Sequence, residues 1–169
     1  MDSKKTASQV RKDLIALRKN NPGKKIVFCS GSFDLTHAGH VLFFEACKKL
    51  GDILVVNLGS DRALRLTKTP DRPIVNEHMR WKLVSSLKQV DYCFIDRAKN
   101  SHMVDSLDVH FTALKPDIYA VNNDIKKLAE SKAIARKNRT KIVILDRTCP
   151  PEFMAVSTTK IIDKIKRLG

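Results

Sequence analysis

The sequence predicts an α/β fold: a doubly wound, five-stranded parallel sheet in a single domain. Five short runs rich in Val, Ile and Leu recur along the chain, each continuous enough for a strand covered on both faces. Amphipathic helical patterns separate them, and strict alternation of strand and helix is the pattern of parallel sheets with right-handed crossovers. The length of 169 residues suits one ordinary domain able to bury its own core.

In chain order, residues 8–20 place Val10, Leu14, Ile15 and Leu17 at helical spacing among charges, and Asn21, Pro22 and Gly23 stop that helix. An N-terminal helix over 1–23 and a main domain over 24–169 are the expected organisation. Residues 26–29 are apolar and read as the first strand, broken at Ser30-Gly31-Ser32, where small residues let the backbone turn tightly. A helix over 38–50 follows, with Gly51 at its C′ position, then a buried strand over 52–58. A short helix over 62–66 leads to a surface loop, 67–73, with two prolines and three charges. Asn76 can cap a helix over 77–87 whose apolar face is Trp81, Val84 and Leu87, with Trp81 as core. Strands over 90–95, 117–121 and 141–145 alternate with helices over 101–114 and 125–137. A stiff loop over 148–153 ends the series, and Ser157-Thr158 signals the cap of a last helix over 160–168. Ligands of such Rossmann-like sheets bind beyond the C-terminal strand ends, where strand order reverses. Residues 30–40 are expected there, with the loops after strands four and five.

The net charge of +14 is the unusual bulk property. Basic residues are scattered, without the zinc-finger, helix-turn-helix or aromatic-interleaved patterns of nucleic-acid readers, so an anionic small ligand is the favoured reading. A non-catalytic nucleotide- or nucleic-acid-binding module is the alternative of another class, supported only by that charge. No apolar run reaches the roughly 18 residues of a membrane span, and the polar N-terminus lacks a secretory pattern, so a cytoplasmic protein without membrane contact is expected. Cys29, Cys47, Cys93 and Cys149 are far apart and read as buried free thiols, with no metal site. His78, His102 and His110 have no chemical context and read as surface residues. Walker A, GxGxxG and GxSxG motifs are absent, which excludes P-loop, standard dinucleotide and esterase-type chemistry by motif.

One stretch carries chemistry. Asp34, His37 and His40 stand where the first strand hands over to a helix, a place with free N–H groups and a positive helix end, suited to phosphate. Gly31-Ser32-Phe33-Asp34-Leu35-Thr36-His37-Ala38-Gly39-His40 resembles the G-x-F-D-x-x-H-x-G-H pattern of cytidylyltransferase-like nucleotidyltransferases. Val156-Ser157-Thr158-Thr159-Lys160-Ile161-Ile162 resembles their I-S-T-T/S-x-I-I motif, in the right order. Within the superfamily the chain is most similar to the heptose 1-phosphate adenylyltransferase branch, through Gly51 to Val56, Ser60-Asp61, Arg72-Pro73-Ile74 through Arg80, and Val90-Asp91-Tyr92. It departs at Val121-Asn122-Asn123-Asp124, where that branch has Lys-Gly-Gly-Asp. The lysine is lost, while Asn tolerates the left-handed region that a glycine turn uses.

The resemblance implies transfer of AMP or CMP from a nucleoside triphosphate to a sugar or polyol phosphate, with release of pyrophosphate. A glycerol 3-phosphate or phosphoethanolamine cytidylyltransferase, or an FMN adenylyltransferase, is the runner-up. It implies that His37 and His40 stabilise developing charge, with Ser30, Gly31, Ser32, Phe33 and Asp34 around the triphosphate. Asp34 either orients the loop or takes part in catalysis. Ser157, Thr158 and Thr159 would hold the β and γ phosphates, and Asn122 and Asp124 would line the nucleotide site. Lys68 would reach the α-phosphate or the acceptor phosphate; it could also be a solvated loop lysine. Arg72 and Arg80 are acceptor-phosphate candidates, with a loop salt bridge and a helix anchor as their alternatives. Mg²⁺ would arrive bound to the nucleotide, since no carboxylate cage is visible. Many such proteins are homodimers, so a second copy is a further expected partner.

Overall fold

The computed structural model describes residues 5–69, 71–97, 103–125, 127–147, 149–153 and 157–168. The expected Pro70, His102 and Val156 lie outside them. The elements run α1 (Ala7–Asn20), β1 (Ile26–Gly31), α2 (Ala38–Lys48), β2 (Ile53–Leu58), α3 (Asp61–Thr67) and α4 (Glu77–Ser85). They continue with β3 (Tyr92–Ile95), α5 (Met103–Leu114), β4 (Ile118–Asn122), α6 (Leu128–Lys137), β5 (Lys141–Leu145) and α7 (Thr158–Lys166).

All five strands are parallel, in the order β3-β2-β1-β4-β5. The chain winds outward from β1 to β3, returns to the far side of β1 for β4, and ends at β5. Strand order therefore reverses between β1 and β4, as the α/β reading requires.

Each face of the sheet carries one apolar layer. On one, Val10 and Leu14 of α1, Leu107, Phe111 and Leu114 of α5 and Ala135 of α6 cover Phe28, Val55 and Tyr119. α1 is thus built into the same core as the rest of the domain. On the other, Phe43, Phe44 and Cys47 of α2 and Val84 of α4 cover Cys29, Val56 and Ala120. Phe28 is the hub of the first layer, with ring contacts to Phe94, His110, Phe111 and Tyr119. Trp81 packs against the second layer and donates its indole N–H to the carbonyl of Cys93.

The strand starts share one device. Asp52, Asp91 and Asp117 stand one residue before β2, β3 and β4, give or take the frayed end. Their carboxylates accept the N–H of Lys25, Leu54 and Ile26, each on a neighbouring strand or its lead-in. Main-chain donors at the lower edge of the sheet are thereby satisfied without water.

Several expectations are corrected. β5 is not covered on both faces: it is an edge strand, and Ile144 is 43% exposed. His110 is buried beside Asp96, its Nε2 3.2 Å from the carboxylate, because α5 turns that face inward. His78 is exposed as expected. Cys29, Cys47 and Cys93 are buried free thiols, but Cys149 is exposed in the loop after β5. The buried face of α4 includes Glu77 and Arg80 beside Val84, so it is not purely apolar. Among the described residues, Asn122, Asn123 and Asp124 make their turn without a left-handed residue; the nearest is Lys127.

The two glycines that the sequence marks work by closeness and not by positive φ. Among the described residues, no glycine has positive φ. A Cβ on Gly51 would stand 2.8 Å from Val27 Cγ2 and 2.9 Å from the Lys25 carbonyl, so its absence lets the α2–β2 turn close onto β1. On Gly31 it would meet the Phe33 ring at 2.7 Å.

Phe28→Ala is expected to cost about 3–5 kcal/mol of unfolding free energy, and Ile144→Ala less than about 1. Urea denaturation of the two variants checks this; equal losses would contradict the layering described.

Candidate active site

Beyond the C-terminal strand ends lies a cleft of about 940 Å³, walled by the loops after β1, β4 and β5, the α3–α4 loop and the start of α7. Its floor is the 31–40 segment. Phe33 and Leu35 both adopt positive φ, at 47° and 48°, a conformation that bulky residues rarely take. Strain of this kind persists only where surrounding bonds over-determine it.

Those bonds converge on Asp34, which is fully buried. Its carboxylate accepts from Arg72 Nε at 2.8 Å and from the main-chain N–H of Ile74 and Val75, each at 3.0 Å. Its own carbonyl accepts the Thr158 hydroxyl at 2.7 Å. Burial alone would raise the Asp34 pKa. The N–H groups of Val75 and Ile74 and the Arg72 guanidinium outweigh it and hold the carboxyl below its ordinary value of 3.8. These bonds fix the orientation of the loop after β1.

His37 and His40 cap the first turn of α2 between them. His37 is the N-cap, and its Nδ1 accepts the Gly39 N–H at 3.1 Å. His40 Nδ1 accepts the His37 N–H at 3.3 Å. The rings stack, centroids 4.0 Å apart, and the Phe33 ring meets His40 edge-on. Desolvation, then the charges of His37, Arg147 and Lys68, push the His40 pKa down to about 3. Burial and the nearby Arg147 lower that of His37. Both imidazoles are therefore neutral near pH 7. With each Nδ1 accepting a main-chain N–H, the single ring proton of each sits on Nε2, leaving Nε2–H as donor.

Cations ring the same space. Lys68, the C-cap of α3, donates to Ser32 Oγ at 3.0 Å. Arg72 lines the cleft and makes the expected loop salt bridge, to Asp34. Arg147 follows β5 and pairs with Asp124. Ser157 caps α7, accepting the Lys160 N–H on its Oγ at 3.2 Å, and Thr158, Thr159 and Lys160 complete that wall.

Most expected site residues thus meet in one cleft: Ser32, His37, His40, Lys68, Arg72, Asn122, Asp124, Ser157, Thr158 and Thr159. Ser30, Gly31, Phe33, Asp34 and Arg80 stand behind its wall. Ser30 Oγ bonds the Tyr119 hydroxyl at 3.0 Å. Arg80 is fully buried, and its guanidinium donates to the carbonyls of Val75 and Ser32 and to Asp61. With its donors turned to these groups and no place on the cleft, the expectation of an acceptor ligand gives way to that of an anchor, clamping the α3–α4 loop to the floor segment. The sequence reading missed Arg147 and Lys160. Arg147 had one available signal: it stands two residues past a strand, on the edge where such sheets bind ligands.

The cytidylyltransferase-like family model matches residues 28–164, a span that holds every wall of this cleft. The chain belongs to the cytidylyltransferase-like family. That is a family of nucleotidyltransferases, and its relatives include the bifunctional protein HldE of Trichlorobacter lovleyi, 33% identical over 97% of this chain and 31% of that protein. HldE of Helicobacter pylori strain P12 is 38% identical over 85% of this chain and 28% of that protein. The chain thus spans about a third of the length of these curated relatives. Among solved structures, the lipopolysaccharide core biosynthesis protein of Thermoplasma volcanium is 31% identical, with a TM-score of 0.60 over 75% of this chain and 98% of that one. A pantoate-beta-alanine ligase of Francisella tularensis shares the fold at 14% identity and a TM-score of 0.63.

The protonation states have a thermodynamic consequence. Below the ordinary histidine pKa of 6.5 the unfolded chain takes up a proton that the folded His40 resists down to about 3. This contribution is full above 6.5 and lost as pH falls toward 3, at about 1.4 kcal/mol per pH unit. Urea titrations between about pH 7 and pH 4 should show this slope in the wild type and a shallower one in His40→Asn. Identical slopes would contradict a buried neutral His40. Nitrogen-15 NMR at pH 7 should find both rings as Nε2–H tautomers.

Proposed function

We propose that this chain transfers a nucleoside monophosphate, AMP or CMP, from a nucleoside triphosphate to a phosphorylated sugar or polyol, releasing pyrophosphate. The observation that carries the reading is the pair of imidazoles at the start of α2, each with its Nδ1 held by a main-chain N–H, facing the α7 start across a cation-rich cleft.

The chemistry fits those groups. A phosphate oxygen of the acceptor attacks the α-phosphorus, a new P–O bond forms, and the α–β bridging bond breaks with its electron pair leaving on pyrophosphate. A phosphomonoester is largely dianionic near pH 7, so no general base is needed. What the chain must supply is alignment and compensation of charge in the transition state. Nε2–H of His37 and His40 would donate to phosphate oxygens without needing a protonated ring. Lys68 and Arg72, on the loop above, would meet the α-phosphate and the acceptor phosphate. Ser157 and Thr159 would present hydroxyls, and the start of α7 its free N–H groups, to the β and γ phosphates, while the Thr158 hydroxyl stays on the Asp34 carbonyl. Arg147 adds a further cation beside the histidines.

Magnesium would enter as part of the nucleotide substrate. The cleft-side carboxylates already have partners: Asp34 with Arg72, Asp124 with Arg147, and Asp146 with Asn123. Asp124 and Asp146 stand at the exposed rim, where they could still meet the outer waters of a hydrated ion.

A heptose 1-phosphate-like acceptor with ATP is the leading reading, supported by the likeness to the heptose branch and to the lipopolysaccharide core biosynthesis protein of Thermoplasma volcanium. The departure at Val121 to Asp124 favours the second reading, a different phosphorylated acceptor. Val121 is buried in the core, so no lysine reaches the cleft from that position.

Pyrophosphate release should appear with ATP or CTP and one member of a panel of sugar, polyol and alcohol phosphates. His37→Ala and His40→Ala should each lower turnover about 10²–10³-fold while the protein stays folded by circular dichroism. A folded wild type that releases no pyrophosphate with the whole panel would overturn the reading, and full turnover by His37→Ala would overturn the assigned role.

A further inference from the structure

The cleft does not absorb the chain's positive charge. Six exposed cations stand on the opposite edge of the sheet, in the segments that enter its strands. Lys49 precedes β2, Lys24 and Lys25 precede β1, Lys115 precedes β4, Arg139 precedes β5, and Lys141 begins it. Strand order sets these segments side by side, and main-chain bonds join them: Asp52 N–H to Lys25 O, Asp117 N–H to Ile26 O, and Lys141 N–H to Asp117 O, each 2.9 Å. At the usual strand spacing the row extends about 15 Å.

Three observations mark this edge as more than a solvated surface. Its two exposed acids already have partners: Asp52 and Asp117 hold main-chain amides of β1 and its lead-in, and Asp117 also holds Arg18. None of the six cations has an ion pair among the described residues. Lys115 and Arg139 also occupy left-handed positions after α5 and α6, with φ of 49° and 56°. Helices favour glycine or asparagine there, because a side chain is strained. A cation stands at both.

We propose that this edge is a second, polyanion-binding surface, and that its ligand is the phosphate backbone of a nucleic-acid duplex, bound without sequence readout. The edge segments contain none of the large exposed apolar side chains of the molecule, so nothing there can insert into a bilayer. They contain no aromatic residue on which an unpaired base could stack. What remains is a row of charge on loops pinned by hydrogen bonds, which matches a stiff polyanion with closely spaced phosphates. The surface is separate from the cleft and does not depend on the transfer reaction.

Fluorescence anisotropy with a labelled 20-base-pair DNA duplex, titrated across KCl concentrations, tests this. With about five phosphates neutralised, log K should fall against log [KCl] with a slope of about −4.5. The variant Lys24→Glu, Lys25→Glu, Lys115→Glu, Arg139→Glu should lose at least 10-fold in affinity at low salt and keep its pyrophosphate release. A control with the same change in net charge elsewhere, Arg11→Glu, Lys12→Glu, Arg65→Glu, Lys132→Glu, should lose less than about 3-fold. Lys115→Gly with Arg139→Gly relieves the strain, so it should fold at least as stably as the wild type and still bind more weakly. No duplex binding at 50 mM KCl, or equal losses in the edge and control variants, would overturn the proposal. So would binding to vesicles containing phosphatidylserine that the duplex cannot displace.

Discussion

The Asp34 carboxylate holds the cleft together. It is a buried charge, costly unless paired and hydrogen-bonded, and here an arginine and two main-chain amides bond it. Through those bonds the floor after β1 fixes the loop before α4; through its carbonyl it fixes the start of α7. Three segments distant in sequence meet at one residue. Arg80 makes the same join from the other side, linking the Ser32 and Val75 carbonyls with Asp61. The unusual backbone of Phe33 and Leu35 is tolerable because both ends of the turn are held in this way.

The architecture was legible because alternation and strand composition are local signals. Strands read from apolar runs appear within a residue or two, and Asn76 and Ser157 cap the helices that their positions suggest. The misreadings share a cause. His110, Arg80 and Glu77 are polar residues buried by partners far away in sequence, and no period in the chain announces such partners. Gly31 and Gly51 were legible as special positions, but the reason was not. Each makes room for a neighbour that only the folded chain brings close.

The site shows the same division. The motif around His37 and His40 could be read, because residue types and spacing carry it. Arg147 carried only its place two residues past a strand, since its approach to the histidines depends on β5 lying beside β4 and on the turn after it. Arg72 bonds Asp34 and lines the cleft at once.

The reciprocal capping of His37 and His40 makes the two residues a single unit of inheritance. Each ring is oriented by an amide that the other's segment supplies, and both hold the first turn of the helix that carries them. A change at either position therefore alters scaffold and chemistry together, and a second change at the other has little left to disturb.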